Sequence, residues 1–103
     1  MNRATVLLAA TALLAHPPAA AADEMTNKLC PILAEIAGST AGYIPEAVQA
    51  RVVIDVGSAY DFNPDALAAV LDGADAATLA ACPDTRAAIL ASTGKDSLTA
   101  VMR

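Results

Sequence analysis

Two cysteines, Cys30 and Cys82, are the most reactive side chains of this 103-residue chain. They lie too far apart in sequence to form a C-x-x-C redox motif, and an even pair of cysteines is typical of a disulfide in an exported protein. Free thiols or a bridge to another molecule are the alternatives. A proline follows each cysteine, so we expect an intramolecular disulfide that joins two helix N-terminal ends.

Four oxygen-bearing residues after the middle of the chain follow the spacing of a calcium-binding EF-hand loop, at positions 1, 3, 5 and 12. Two departures weaken this pattern: Ala66 stands where the loop calls for glycine, and Pro64 lies inside it. The start of a helix explains the same residues without a metal, and we predict neither a metal nor any other cofactor. The ligands of the alternative site would be Asp61, Asn63, Asp65 and Asp72.

Histidine is absent from residues 23–103, because the chain's one histidine is His16. The usual proton shuttle and the commonest metal ligand are therefore missing from that part of the chain. Residues 23–103 carry five basic and eleven acidic side chains, a net charge of −6. Such a surface repels nucleic acid and anionic membranes. We therefore expect a protein that is not an enzyme and that binds no nucleic acid.

The first 22 residues have the organisation of a secretory signal peptide. Arg3 supplies a positive start, an apolar run follows from Ala4 to Ala15, and small residues precede Asp23. The run is shorter than the ~20 residues that span a bilayer. We expect cleavage after Ala22, a periplasmic or secreted product, and no stable membrane insertion afterwards; an uncleaved anchor is the alternative.

Three aromatic residues, Tyr43, Tyr60 and Phe62, are the whole aromatic content of the chain. Packing in the core or at its rim is the first interpretation. Tyr60 and Phe62 flank Asp61, so the alternative is a binding patch to which the three aromatic side chains contribute.

Prolines, glycines and capping residues predict one all-α domain over residues 23–103, a bundle of four or five short helices held by one disulfide. A first helix is expected from Pro31 to Ala37, with Gly38 as its stop. The alternative is an earlier start, which Pro31 would strain but which places on one face Met25, Leu29, Ile32, Leu33 and Ile36. A second is expected from Pro45 to about Tyr60. Its β-branched stretch Val52–Ile54 would also suit a strand, but no partner strand is evident and we favour a helix.

The second half of the chain repeats these signals. Asn63 before Pro64 is a strong helix start, and Gly73 is the expected stop. A further short helical segment would be capped by Asp75 and run to Cys82. The last two helices would extend from Pro83 to Gly94 and from a cap at Asp96 or Ser97.

The layout resembles that of the two-cysteine acid-stress chaperones of the bacterial periplasm, the HdeA-like group. The likeness lies in the spacing of Cys30 and Cys82 and in the segment from Ala69-Val70-Leu71-Asp72 to Ala80-Ala81-Cys82. The chain differs from that group in having no tryptophan and few lysines. The resemblance implies a dimer that opens at low pH and binds unfolding client proteins, with the two cysteines as a structural disulfide and no catalytic residue.

Together these observations predict an exported, non-catalytic binding or protective protein, in its most specific form an acid-activated chaperone. Its partners would be a protein or unfolded clients, and a homodimer is an open alternative. A small inhibitor or immunity protein, whose acidic surface covers a partner enzyme, is the main rival. A divalent-ion carrier is the third class.

Overall fold

The computed structural model describes residues 19–103, which form five helices and no strand. The helices are α1 (Ala19–Ser39), α2 (Pro45–Ala59), α3 (Pro64–Ala81), α4 (Pro83–Thr93) and α5 (Leu98–Val101). The predicted all-α class is therefore confirmed. The predicted signal peptide, apart from residues 19–22, lies outside the described residues. Within the described chain, no helix has the length and apolarity that a membrane span requires.

Local signals set most of the helix boundaries. Pro45, Pro64 and Pro83 each stand at the start of a helix, where the missing N–H has no intrahelical partner to lose. Two of the predicted caps also form. The Asn63 side chain accepts a hydrogen bond of 3.0 Å from the Ala66 N–H, and Ser97, rather than Asp96, caps α5. The boundaries of α2 and α4 match their predictions to within a residue.

The first helix was wrongly predicted to begin at Pro31. It begins at Ala19, ends at Ser39 and contains Pro31 in its interior, although an internal proline removes a hydrogen bond and costs about 3 kcal/mol. Burial explains the outcome, because Leu29, Leu33 and Ile36 on both sides of the proline form one continuous apolar stripe in the core. Tertiary packing of such a stripe outweighs a local helix breaker.

The predicted stop at Gly73 is also wrong, since α3 runs without a break to Ala81. Glycine in a helix costs about 1 kcal/mol relative to alanine, but here it faces α1. A Cβ at residue 73 would lie 3.1 Å from the Met25 Cε. The glycine thus leaves room for the end of the Met25 side chain against α3. Asp75, which was expected to cap a separate short helix, lies inside α3 and is free for another role.

Helix α1 is the centre of the bundle and packs against α2, α3 and α4, whereas the consecutive helices α2 and α3 hardly touch each other. The β-branched segment Val52–Ile54 is helical within α2, as favoured, and Val52 is completely buried. The core comprises Leu29, Leu33, Ile36, Val48, Val52, Val56, Val70, Ala74, Ile89, Leu98 and Val101.

The predicted disulfide joins Cys30 to Cys82, with a Cα–Cα distance of 6.1 Å. Cys82 lies between α3 and α4, at the N-terminal end of α4. Cys30 lies in the interior of α1, so the bridge joins one helix start to the middle of another helix rather than two starts. This part of the prediction fails because α1 begins before Pro31. A disulfide indicates an oxidising compartment.

Candidate functional site

An apolar groove opens between α2 and α3. The turn formed by residues 60–63 connects these helices, and the cleft between them encloses about 200 Å³. All the residues that line it are apolar, and Met102, which follows α5, is the contribution of the C-terminal segment. The lining residues are Val53, Val56, Gly57, Phe62, Leu67, Val70, Leu71 and Met102.

The turn at one end of the groove holds Phe62 in an unusual position. Asp61 and Phe62 both have left-handed backbones, with φ of 55° and 53°, a conformation that costs about 1–2 kcal/mol for each non-glycine residue. Hydrogen bonds stabilise the turn, among them one of 2.8 Å from the Phe62 N–H to the Gly57 carbonyl. Phe62 remains 59% exposed, so a large apolar side chain is presented at the groove rather than buried.

Gly57 provides the surface on which the Phe62 ring rests. A Cβ at residue 57 would lie 2.7 Å from the Phe62 Cδ1, which is closer than two carbon atoms can approach. Only glycine therefore permits this placement of the ring, and Phe62 and Gly57 act as a pair in shaping the groove.

Gly57→Ala is accordingly expected to displace the Phe62 ring from α2. The ring can move toward solvent, so the collision offsets the gain of about 1 kcal/mol that alanine brings to a helix, and the stability should change little. The loss of nuclear Overhauser effects between residue 57 and the ring would report the displacement. Gly38→Ala is the matched control, because nothing lies within 4 Å of a Cβ at that helical glycine. A ring that keeps its place in Gly57→Ala would contradict the prediction.

The other two aromatic residues lie apart from the groove lining. Tyr60 packs against the core, and the Lys28 Nζ lies 4.5 Å from the centre of its ring. Burial, and then the negative charge of Glu24, raises the pKa of the Tyr60 hydroxyl. Tyr43 precedes α2 and is half exposed, at the other end of a helix about 22 Å long. The structure thus brings Phe62, but neither Tyr43 nor Tyr60, to the groove.

The four residues with EF-hand spacing extend from Asp61, in the turn before α3, to Asp72 in the middle of that helix. The Asn63 side-chain oxygen caps the helix, and Asp65 and Asp72 lie on α3, separated by about 10 Å along its axis. An EF-hand loop needs a sharp bend at its sixth position, but here Pro64 has already begun a helix. Among the described residues, no three histidine, cysteine, aspartate or glutamate side chains are close enough together to hold a metal ion.

Asp75 is the functional candidate that sequence reasoning missed. Its carboxylate accepts hydrogen bonds from two nitrogens of Arg86, at 2.9 and 3.1 Å, and from the backbone N–H groups of Leu98 and Thr99, at 2.7 and 3.2 Å. The Thr99 hydroxyl lies 3.2 Å from the same carboxylate and 2.9 Å from the Leu71 carbonyl, and it shares its one proton between these two acceptors. One carboxylate therefore connects α3, α4 and the first turn of α5. We call these residues the Asp75 cluster.

The electrostatics of the Asp75 cluster favour the ionised carboxylate. Burial alone would raise the pKa of Asp75, but the hydrogen bonds from Leu98, Thr99 and Arg86 together lower it below the ordinary value of 3.8. The sequence did indicate a capping aspartate at this position. It could not indicate that the capped helix lies 23 residues further along the chain.

Comparisons of the chain with protein-family models, with curated protein sequences and with solved structures found no match. Two features of the described chain have chemical consequences of their own. The groove offers apolar surface to another molecule, and the Asp75 cluster holds the C-terminal helix through a group that acid can neutralise.

Proposed function

We propose that this chain is an exported, non-catalytic binding protein of the periplasm or the extracellular space, and that it acts as an acid-activated chaperone. The observation that carries the proposal is the Asp75 cluster. It fastens α5, which contributes Leu98 and Val101 to the core, through a single titratable carboxylate. The disulfide supports an exported location.

Acid acts on this arrangement through the charge of Asp75. Arg86 of α4 is the charged side chain that contacts Asp75 within the described residues, while α5 contributes Thr99 and backbone amides. Two other bonds hold the C-terminal segment, from Gln49 to the Val101 carbonyl and from Thr99 to the Leu71 carbonyl, but both are between neutral groups. Protonating Asp75 therefore removes the pH-sensitive part of the attachment and frees apolar side chains for clients.

Acid also changes the net charge of the domain, and this change too favours opening. Protonating all eleven carboxylates of residues 23–103 would change the net charge from −6 to +5, and the resulting self-repulsion favours an expanded chain. The Cys30–Cys82 disulfide encloses α2 and α3 but not α5. It limits how far the enclosed helices separate and leaves the C-terminal segment free to move.

Acidification should thus expose apolar surface and prevent clients from aggregating. We expect the oxidised protein to bind an apolar dye and to suppress the light scattering of an acid-denatured client enzyme at pH 2–3, and to do neither at pH 7. Asp75→Asn should move dye binding to higher pH, because the substituted side chain carries no charge at any pH. The control is Asp72→Asn, which neutralises an exposed carboxylate of the same helix. This variant should behave like the unmodified protein.

Two results would overturn the acid-activated form of the proposal: dye binding that stays absent down to pH 2, or a response to acid that is the same in Asp75→Asn. Neither result tests whether the folded protein binds a partner at neutral pH. That is the setting of the alternative function, a small inhibitor or immunity protein, which the exposed carboxylates of α3 favour. The two functions are separated by the pH at which the partner binds.

A further inference from the structure

The C-terminal segment covers part of the apolar groove with its own side chains. This segment, residues 97–103, consists of the cap Ser97, helix α5 and the last two residues, and we call it the C-terminal strap. Its helix contacts α2, α3 and α4, and Met102 lines the groove between α2 and α3. Leu98 and Val101 are completely buried, and Met102 is half-buried. Removal of the strap would therefore extend the groove over the core surface that these three side chains cover.

The strap is attached in a way that lets it leave without the other helices. It follows α4 through the exposed residues 94–96, and it lies outside the loop that the Cys30–Cys82 disulfide closes. Helix α5 has four residues, far fewer than the roughly 12–15 that an isolated helix needs to be even marginally stable in water. The strap is thus helical only while it is docked, and its release gains the conformational entropy of an unfolded chain end.

The polar contacts of the strap fall into two groups, of which acid affects one. The Asp75 carboxylate accepts hydrogen bonds from the first two N–H groups of α5, at 2.7 and 3.2 Å. Beside it, Gln49 donates to the Val101 carbonyl at 2.9 Å, and the Thr99 hydroxyl lies 2.9 Å from the Leu71 carbonyl. Because Gln49 lies on α2 and carries no charge, it offers a means of loosening the strap without changing any titratable group.

The charges that surround Asp75 are few on the side of α4 and the strap. Arg86 of α4 contacts the carboxylate at 2.9 Å. Lys95 and Asp96, which precede the strap, and Arg103, which ends it, are all exposed. The strap is therefore held to Asp75 by its backbone N–H groups and the Thr99 hydroxyl, and not by a charged side chain of its own.

The charged residues of α1 and α2 are engaged elsewhere. Lys28 of α1 donates to the Ala59 carbonyl at 3.1 Å, and Arg51 of α2 pairs with Asp55 at 3.0 Å. Within the described part of these two helices, no side chain forms an ion pair or a hydrogen bond with Asp75. The remaining carboxylates of α1–α4 are exposed, namely Asp23, Glu24, Glu35, Glu46, Asp65, Asp72 and Asp84.

We propose, as an extension that rests on the proposed function, that the C-terminal strap covers the client-binding surface and that acid detaches the strap while α1–α4 stay folded. The client-binding surface is the groove between α2 and α3, extended by the seat of Leu98, Val101 and Met102. The strap is thus an autoinhibitory contact, which competes with clients for that surface. Expansion of the whole domain by self-repulsion is the other route to exposed apolar side chains, and in that case the contacts of α1 with α3 are lost together with the strap.

Nuclear magnetic resonance of methionine methyl groups separates these two routes. Met102 belongs to the strap, whereas the methyl group of Met25 lies beside Gly73, where α1 contacts α3. In a titration of the oxidised protein from pH 7 to pH 2, we expect the Met102 signal to reach the position of a solvent-exposed methionine at a higher pH than the Met25 signal does. Dye binding by the same samples should rise with the change at Met102.

A variant that changes no titratable group tests the strap separately from acid. Gln49→Ala removes the donor of the bond to the Val101 carbonyl. A neutral hydrogen bond is equivalent to about a fivefold change in an equilibrium constant, so the released fraction at a given pH should rise about fivefold and the Met102 transition should move to higher pH. Asn27→Ala, at an exposed polar residue of α1, is the matched control and should leave the transition in place.

A second pair of variants tests whether clients bind in the groove. Phe62→Ala removes the exposed aromatic ring of the groove lining and should weaken the binding of an acid-denatured client at pH 2–3 about tenfold, the size of a typical interface anchor. Ile54→Ala removes an exposed apolar side chain of α2 that does not line the groove, and it should leave the binding within about twofold.

Three results count against the proposed strap. They are Met25 and Met102 signals that change together, a Met102 transition at the same pH in Gln49→Ala and Asn27→Ala, and client binding that is equal in Phe62→Ala and Ile54→Ala. Each of these leaves the acid-activated function standing as long as clients are still protected at pH 2–3. A change confined to Met102 without any dye binding would instead overturn the proposed function, and client binding in the groove with it, while release of the strap would stand.

Discussion

Removing the disulfide with Cys30→Ala/Cys82→Ala is expected to lower the free energy of unfolding by about 4 kcal/mol. The bridge closes a loop across a sequence separation of 52 residues, and the chain-entropy description assigns about 4 kcal/mol to a loop of that length. Small domains are stable by only about 5–15 kcal/mol in total. Loss of the bridge should therefore leave a substantial fraction of the protein unfolded at 37 °C.

Urea denaturation followed by circular dichroism at pH 7 measures this effect. The original protein reduced with a thiol reagent is the natural control and should match the double alanine variant. Because α1 packs against both α3 and α4 around one core, we expect the whole domain to unfold in one transition. A loss below about 1 kcal/mol would show that the bridge does little to restrict the unfolded chain.

Asp75→Ala is expected to cost about 2–3 kcal/mol, the second largest effect. The substitution removes the acceptor of four N–H hydrogen bonds and leaves Arg86 without its carboxylate, and hydrogen bonds to charged groups contribute about 1.5–3 kcal/mol. The expected cost is below that of breaking a fully buried ion pair, about 3–5 kcal/mol, because the Asp75 side chain is 29% exposed. Water can therefore replace some of the hydrogen bonds that Asp75 accepts.

The same variant should change how stability depends on pH. The pKa of Asp75 is lower in the folded protein than its ordinary value of 3.8. Its contribution is therefore complete well above pH 3.8 and is lost as the pH falls through the folded-state pKa. Between pH 5 and pH 2 the unmodified protein should lose stability more steeply than Asp75→Ala.

Urea denaturation at intervals across this pH range provides the comparison, with Asp72→Asn as the control that retains the Asp75 cluster. Parallel pH profiles for the original protein and Asp75→Ala would mean that other carboxylates dominate acid unfolding. They would also remove the main support for acid activation.

The success of sequence reasoning here depended on how far apart the interacting residues lie. The cap at Asn63, the prolines that open three helices and the cap at Ser97 act within one turn, and each was predicted correctly. The continuation of α3 through Gly73 depends on the burial of Val70, Ala74 and Thr78 on both sides of it, and the role of Asp75 depends on Leu98 and Thr99. Such pairings depend on packing between distant parts of the chain, and local sequence patterns do not predict that packing.

The same contrast between local signals and long-range contacts applies to the candidate groove. Phe62 was a candidate because it and Tyr60 flank Asp61, and it does border the groove. Val53, Leu67 and Met102 come from three different elements and carry no local sign that they meet. The left-handed backbone at Asp61 and Phe62 was also unforeseen, since neither is a glycine.

The central position of α1 has a consequence for when the chain folds. This helix comes first among those described, yet it packs most extensively against α3 and α4, so it meets its partners only after most of the chain has been synthesised. Contacts between residues distant in sequence form slowly, because a long loop must close before they do. The topology thus delays closure of the core until α3 and α4 have been made.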